Sequence, residues 1–358
     1  MERFQNVKAS INNAKNIKII FPENPDNDTL GSVLALYSAL NQLDKKVFLT
    51  EERLPEKAVY FLRNEKKRIA ITLNEEVSEI YYEKKDNHVD LNIIPKNQDF
   101  NSDNFSWEII SEKKNNEQTE PFDIIIIIGV LRFKEIEKYL PTDEEELFAC
   151  TIVNIDKNSA NENYGDVNII GNSSLSKITA ILIKELNEFS FSKEVFDFLF
   201  FGFFSQEKIL VKDITVIKWI LNNGGTLDIY YEYQKKKKPL WADYFEDALK
   251  NISLKEDEGI IFSYLTFEKN EKTEQRNSEK VKSALQISKV FKEWLNPKTF
   301  FLSFKEENAT KTIFYSSSPL MIKKISNKYK GLFKETGGII ISNDKNLLEF
   351  IEELKKDL

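Results

Sequence analysis

The sequence predicts an α/β protein in two parts: a parallel-sheet domain over residues 1–225 and a smaller α/β domain over 240–358, with a linker at 226–239. Three observations carry this. Short apolar runs without alternation, "IKIIF" (17–21) and "DIIIIIG" (123–129), are what strands covered on both faces require. They alternate with amphipathic stretches such as "DTLGSVLALYSALNQL", the pattern of a parallel sheet with helices on its faces. "NNGG" and then "YEYQKKKKP" (231–239) interrupt the alternation before a second, smaller round begins.

Taken in order, "IKIIF" is a buried strand, and the turn "PENPDND" leads into the helix "DTLGSVLALYSALNQL" with Asp28 as its N-cap. "KVFLT" (46–50) is the next strand, and Pro55 opens the helix "PEKAVYFLR". From 68 the pattern changes: "RIAITL", "VSEIYYEKK" and "VDLNIIP" alternate with period two and predict a three-strand meander. Residues 96–120, rich in Asn, Asp, Glu and Lys, predict a surface excursion, and His88 falls at an exposed turn. "DIIIIIG" resumes the sheet as its central strand. The helix "RFKEIEKYL", the strand "CTIVNID" (150–156) and helices at 174–188, 192–205 and 212–222 follow.

The second part reads as the helix "WADYFEDALKNI", the strand "GIIFSYLTF" and the helix "VKSALQISKVFKEWL". "TFFLSFKE" and "KTIFYSS" pair as strands, then come the helix "PLMIKKISNKY", the strand "GGIIIS" and the closing helix "NLLEFIEELKKDL".

Composition narrows the function. A net charge of −7 over 358 residues argues against duplex nucleic acid as a partner, which needs many phosphate contacts from a basic surface. Lys235 to Lys238 beside Tyr231 and Tyr233 could grip a phosphate chain, but so short a run on an acidic chain reads better as a solvated linker face. The single cysteine, Cys150, excludes an internal disulfide, fits a reducing compartment and reads as a core thiol. "MERFQNVKAS" lacks the apolar run of a signal peptide, and no apolar stretch reaches membrane-spanning length. The expectation is a soluble, cytoplasmic protein with no membrane partner. Abundant Lys, Asn, Ile and Glu suggest an A+T-rich genome of bacterial or parasite type.

Two segments carry the chemistry. "ENPDNDTLGS" (23–32) places two carboxylates, Asp26 and Asp28, two residues apart. "NIDKNSANENYGDVNII" (154–170) places Asp156 at the carboxyl end of a strand. The order of these motifs resembles the DHH family of phosphoesterases, an N-terminal DHH domain followed by a DHHA1 domain, over essentially the whole chain. In the second segment the family reads N-I-D-H-H, then N, then an aromatic-G-D-x-N. Asn154, Ile155, Asp156, Asn161, Tyr164, Gly165, Asp166 and Asn168 fall in register, while Lys157 and Asn158 stand where the two histidines would be. In the first segment Asn24, Pro25, Asp26, Asp28, Gly31 and Ser32 match, and Pro22 replaces a histidine. The strand from Asp123 ends in Gly129 where the family has a bridging carboxylate, and Gln206 aligns with a later family Asp. Of the DHHA1 glycine-rich loop Gly337 and Gly338 remain, with Ile339 in place of its histidine.

The resemblance implies a two-manganese phosphoesterase acting on short oligoribonucleotides, nucleoside bisphosphates or cyclic dinucleotides. A bridging water between two ions about 4 Å apart needs more N and O donors than Asp26, Asp28 and Asp156 supply. Those three could still hold one Mg²⁺ or Mn²⁺ weakly. Each also has a structural reading: Asp28 as helix N-cap, Asp26 in an Asx-turn, Asp156 bonded to loop N–H groups. The leading expectation is therefore a pseudoenzyme with no cofactor and no catalytic residue. It would bind a nucleotide, a short single-stranded RNA or a protein partner, including a second copy, in the cleft between the domains. Lys157, Asn158, Gly337 and Gly338 are its candidate ligand-binding residues. The alternatives are an active hydrolase with a reduced site and a structural or assembly subunit. Lys157 is further expected to bring its ammonium to the carboxylates in place of the missing metal charge.

Overall fold

A computed structural model of the chain describes residues 2–50, 53–62, 67–73, 77–84, 89–96, 105–111, 121–186, 190–255, 258–267, 274–306, 309–343 and 346–358. They fall into two compact units, residues 1–55 with 119–358, and residues 56–118.

The larger unit is α/β. Strands β1 (Asn16–Ile20), β2 (Lys46–Leu49), β7 (Ile124–Ile128), β8 (Thr151–Asp156) and β9 (Val167–Ile170) form a sheet in the order β2-β1-β7-β8-β9, parallel throughout. The central position falls to β7, as its composition predicts: all five of its isoleucines are buried, because a strand covered on both faces has no place for a polar side chain. Helices α1 (Glu2–Asn13), α2 (Asn27–Gln42), α5 (Leu175–Leu186) and α6 (Lys193–Phe204) belong to the same unit. Helices α2 and α6 meet at two glycines. A Cβ on Gly31 would lie 2.6 Å from Phe198 O and 2.9 Å from Gly202 Cα, so backbone touches backbone at this crossing.

The stretch 131–140 is a correction. The apolar spacing of "RFKEIEKYL" predicts a helix, but the chain makes two 3₁₀ turns, Phe133–Glu135 and Glu137–Tyr139. Tertiary donors take the carbonyls that would extend a helix: Arg53 Nη2 bonds Glu135 O at 3.0 Å and Lys18 Nζ bonds Tyr139 O at 2.6 Å. The Arg53 guanidinium also stacks 3.8 Å from the Tyr139 ring centroid. A short helix the sequence reading missed, α4 (Glu144–Ala149), follows with Asp143 as its N-cap. Cys150 ends it, buried as expected, and burial pushes its thiol up to about 11.

In the smaller unit, α3 (Glu56–Leu62) precedes β3 (Lys67–Leu73), β4 (Val77–Lys84), β5 (Val89–Pro95) and β6 (Phe105–Ser111). The expected meander is corrected. Strands β4 and β5 form an antiparallel pair, while β3 pairs with β6, a strand inside the stretch read as a surface excursion. The Asn- and Asp-rich flanks hid the strand-forming core "FSWEIIS", whose aromatic and β-branched residues favour a pleated surface. His88 lies outside the described residues.

The remaining strands are β10 (Ser253–Lys255), β11 (Ile260–Leu265), β12 (Thr299–Glu306), β13 (Ala309–Ser316), β14 (Gly331–Lys334) and β15 (Gly337–Ser342). They form a sheet in the order β10-β11-β12-β13-β15-β14, with β11 and β12 parallel and every other pair antiparallel. One face carries the stacked rings of Phe262, Phe301 and Phe314. Helices α11 (Pro319–Lys328) and α12 (Leu347–Asp357) cover it through Ile325, Phe350 and Leu354. On the other face Phe291 of α10 (Glu274–Trp294) meets Phe300.

Between the sheets the stretch expected as a linker contains a helix, α8 (Asp228–Tyr233), after α7 (Ile214–Asn222) and before α9 (Leu240–Lys250). Phe204 of α6 contacts Tyr230, Phe245 and Trp294, so one aromatic cluster joins four helices. Lys235, Lys236 and Lys237 are exposed as expected. Lys238 is not, for it lies 2.9 Å from Asp228, 2.7 Å from Asp243 and 2.7 Å from Glu246.

Candidate functional site

The chain leaves β1 and β8, the two strands on either side of β7, at the same carboxyl edge of the parallel sheet, where open α/β sheets bind their ligands. From the first strand come Asp26 and Asp28, and from the second Asp156, Lys157 and Asn158.

The two N-terminal carboxylates do not keep the roles the sequence suggests, Asp28 as N-cap of its own helix and Asp26 in an Asx-turn. Asp26, not Asp28, is the N-cap of α2: its Oδ1 accepts from Thr29 N at 2.7 Å and from Thr29 Oγ1 at 2.6 Å. Asp28 is buried and serves the start of a different helix. Its Oδ1 accepts from Ser176 N at 2.9 Å and Ser176 Oγ at 2.6 Å, and its Oδ2 accepts from Leu175 N at 3.0 Å. The two N–H groups are orphan donors of the first turn of α5, so Asp28 fastens α5 onto α2. Ser32, also in the first motif, turns its hydroxyl back to Asp28 O at 2.7 Å.

Lys157 completes the arrangement. Its Nζ lies 2.7 Å from Asp26 Oδ2 and 3.2 Å from Asp28 Oδ2. Burial pushes the Lys157 ammonium down, but the Asp26 hydrogen bond and the charges of Asp28 and Asp26 outweigh it and hold the group above its ordinary value. Burial pushes Asp26 up, and the hydrogen bonds from Lys157 and Thr29 outweigh it and hold the carboxyl below the usual range.

Asp156 is buried and bonded within its own loop, as its structural reading has it. Its Oδ2 accepts from Asn161 Nδ2 at 2.8 Å and its Oδ1 from Asn158 N at 3.2 Å. Asn158 accepts from Ala160 N at 3.0 Å. The other in-register residues of this motif build the same loop. Asn154 donates to Asn161 at 2.7 Å and to Asn168 at 3.0 Å, Asn161 and Tyr164 both donate to Val130 O at 2.8 Å, and Asp166 accepts from Ile152 N at 2.8 Å. Gly165 is required because a Cβ there would lie 2.9 Å from Asn154 Cβ.

The donors do not fit a two-metal centre. Every carboxylate oxygen of Asp26, Asp28 and Asp156 already accepts from an N–H, a hydroxyl or the Lys157 ammonium. Gly129 has φ +70°, and a Cβ there would lie 3.0 Å from Leu175 Cδ1, so this position does not admit a bridging carboxylate without strain. Gln206 follows the end of α6, and its amide nitrogen has no hydrogen-bond partner among the described residues. No group of three His, Cys, Asp or Glu among the described residues is arranged to hold an ion.

Of the residues singled out from sequence, the structure brings together Asp26, Asp28 and Lys157, with Asp156 and Asn158 in the adjoining loop. Gly337 and Gly338 lie in β15, bonded to neither. A Cβ on Gly337 would lie 2.3 Å from Phe314 O and one on Gly338 2.2 Å from Leu332 O, so close strand pairing accounts for both. Sequence reasoning missed Thr29, Leu175 and Ser176, which hold the two carboxylates. The only signal was the Ser-rich "NSSLS" before α5, ordinary for a helix start.

No family model and no curated protein matches the sequence. No helix among the described residues is long and apolar enough to cross a membrane. Among solved structures, the chain is similar to an exopolyphosphatase-related protein from Bacteroides fragilis at 14% identity and a TM-score of 0.43, over 99% of this chain and 95% of that one. It is similar to a putative family II inorganic pyrophosphatase from Methanococcus jannaschii at 9% identity and a TM-score of 0.32, over 95% and 99% of the two chains. A third similarity, at 9% identity and a TM-score of 0.25, is to the DHH domain of a member of a family of ribosomal proteins, over 99% and 90%.

Proposed function

We propose that this chain is a catalytically degenerate protein of DHH type, which works by binding a partner and does not cleave phosphodiesters. The single observation behind this reading is the ammonium of Lys157 at 2.7 Å and 3.2 Å from Asp26 and Asp28. Phosphoryl chemistry of this type needs cations that generate a hydroxide and stabilise charge on the phosphoryl oxygens. Here a fixed ammonium takes the place of such a cation, and its charge is spent on two carboxylates. The same arrangement leaves little attraction for a phosphate at this point, which favours a protein partner over a nucleotide.

The test is a titration of the purified chain with Mn²⁺ and Mg²⁺, with turnover of a short RNA, adenosine bisphosphate and a cyclic dinucleotide followed on the same sample. We expect neither saturable ion binding nor turnover. Turnover abolished by both Asp26→Ala and Asp156→Ala would overturn the reading in favour of a hydrolase with a reduced site.

A further inference from the structure

The six-stranded sheet has one face that is only half covered. Leu302, Ile313, Ile339 and Leu332 are successive cross-strand partners on β12, β13, β15 and β14, and so lie on one face in one row. It is the face that α10 covers, since the adjacent row holds Phe300 beneath Phe291. Along the row exposure climbs from 0% at Leu302 and 8% at Ile313 to 71% at Leu332. The helical cover therefore ends between β13 and β15. Ile341, on the same face of β15, is 37% exposed.

Lysines frame this bare end. Lys330 and Lys334 flank Leu332 at the two-residue spacing that puts all three on one side of the strand, and both are exposed. Neither makes an ion pair among the described residues. Two copies of the β14 edge would set lysine against lysine, so this edge does not pair with itself. Its partner must be apolar and acidic.

The same chain carries such a surface. Asp143, Glu144, Glu145 and Glu146 are all exposed at the start of α4, and Phe148 in its last turn is 85% exposed. Nothing in the core explains a phenylalanine held so far into water beside four carboxylates. We propose that α4 of one copy docks on the bare β15–β14 face of a second copy, with Phe148 seated against Leu332 and Ile341 and the acidic run facing Lys330 and Lys334. Aromatic anchors of this kind carry most of the energy of an interface, and complementary charge sets its register. The two surfaces differ, so the contact is head-to-tail, and it closes only if two such contacts form reciprocally. This inference does not depend on the reading of the carboxylate site.

The test is the mass of the full chain by sedimentation velocity over a range of concentrations. We expect a concentration-dependent rise above the monomer, weakened at least about tenfold by Phe148→Ser and by Leu332→Ser, which is the effect of losing about 1.4 kcal/mol. The variant Glu145→Lys with Glu146→Lys and the variant Lys330→Glu with Lys334→Glu should each be monomeric alone and associate when mixed. Far-ultraviolet circular dichroism identical to the parent's shows that each variant folds. A parent chain that is monomeric at every concentration would overturn the proposal and leave the face to an acidic segment of another protein. Association that ignores all four variants, or a mixture that stays monomeric, would also overturn it.

Discussion

Lys157 Nζ stands 2.7 Å from Asp26 Oδ2. The residue after the last position of β8 is thereby tied to the cap of α2, 131 residues earlier in the chain. The same ammonium reaches Asp28, which is buried and fastens α5. One side chain holds together three elements that the sequence places far apart.

Lys157→Met should therefore destabilise the fold. Asp28 keeps its donors from Leu175 and Ser176 but loses its counter-charge, and leaving a buried group short of a partner costs about 1–3 kcal/mol. Urea denaturation at neutral pH should show a lower midpoint with an unchanged slope. An unchanged midpoint would mean that the bridge contributes nothing to stability.

The acid side of the stability profile follows from Asp26. Its folded carboxyl lies below the usual range, so its contribution is complete above the unfolded value of about 3.9 and is lost as pH falls through the folded value. Stability of the parent should drop on acidification below about pH 5 by more than that of Asp26→Asn. The effect should be small, because more than half of the Asp26 side chain is exposed. Parallel acid profiles for the two proteins would count against this assignment.

Asp28→Ala should loosen one helix end in particular. The N–H groups of Leu175 and Ser176 lose their acceptor, at a cost of about 1–3 kcal/mol. Hydrogen exchange should quicken in the first turn of α5 and hold steady in β7. Uniform quickening across the larger unit would indicate global loss of stability in place of a lost cap.

Gly31→Ala tests the crossing of α2 and α6. The added methyl would meet backbone atoms of Phe198 and Gly202 at 2.6–2.9 Å, and neither is the end of a side chain that could swing away. Overpacking of this kind costs about 1–3 kcal/mol. Thermal melting should fall by several degrees, and a melt equal to the parent's would show that the two helices can separate without penalty.

Much of the fold was legible because its signals are local. Five consecutive isoleucines can only be a strand buried on both faces, and β7 is the centre of its sheet. The helices α5, α6, α7, α11 and α12 lie close to where apolar spacing and caps put them. Of the first motif, Asp26 and Asp28 meet at Lys157, and Ser32 bonds the Asp28 carbonyl. Their partners were not legible. Asp28 looks like a cap for its own helix because N-caps are short-range features, yet the donors it serves lie 147 and 148 residues away. Gly31 reads as part of a ligand motif, while the structure uses it to bring two helices into backbone contact.

What the sequence by itself determined is which segments are buried strands and which are amphipathic helices, because burial periodicity is written in neighbouring side chains. Tertiary structure alone decided the rest. It turned 133–139 into 3₁₀ turns by taking their carbonyls with Arg53 and Lys18, paired β3 with β6, made Asp26 the cap of α2 and gave Asp28 to the start of α5. It also placed one lysine between two carboxylates. In each case a hydrogen bond or ion pair depends on which backbone ends the sheet sets side by side, and that adjacency exists only once the distant strands have paired.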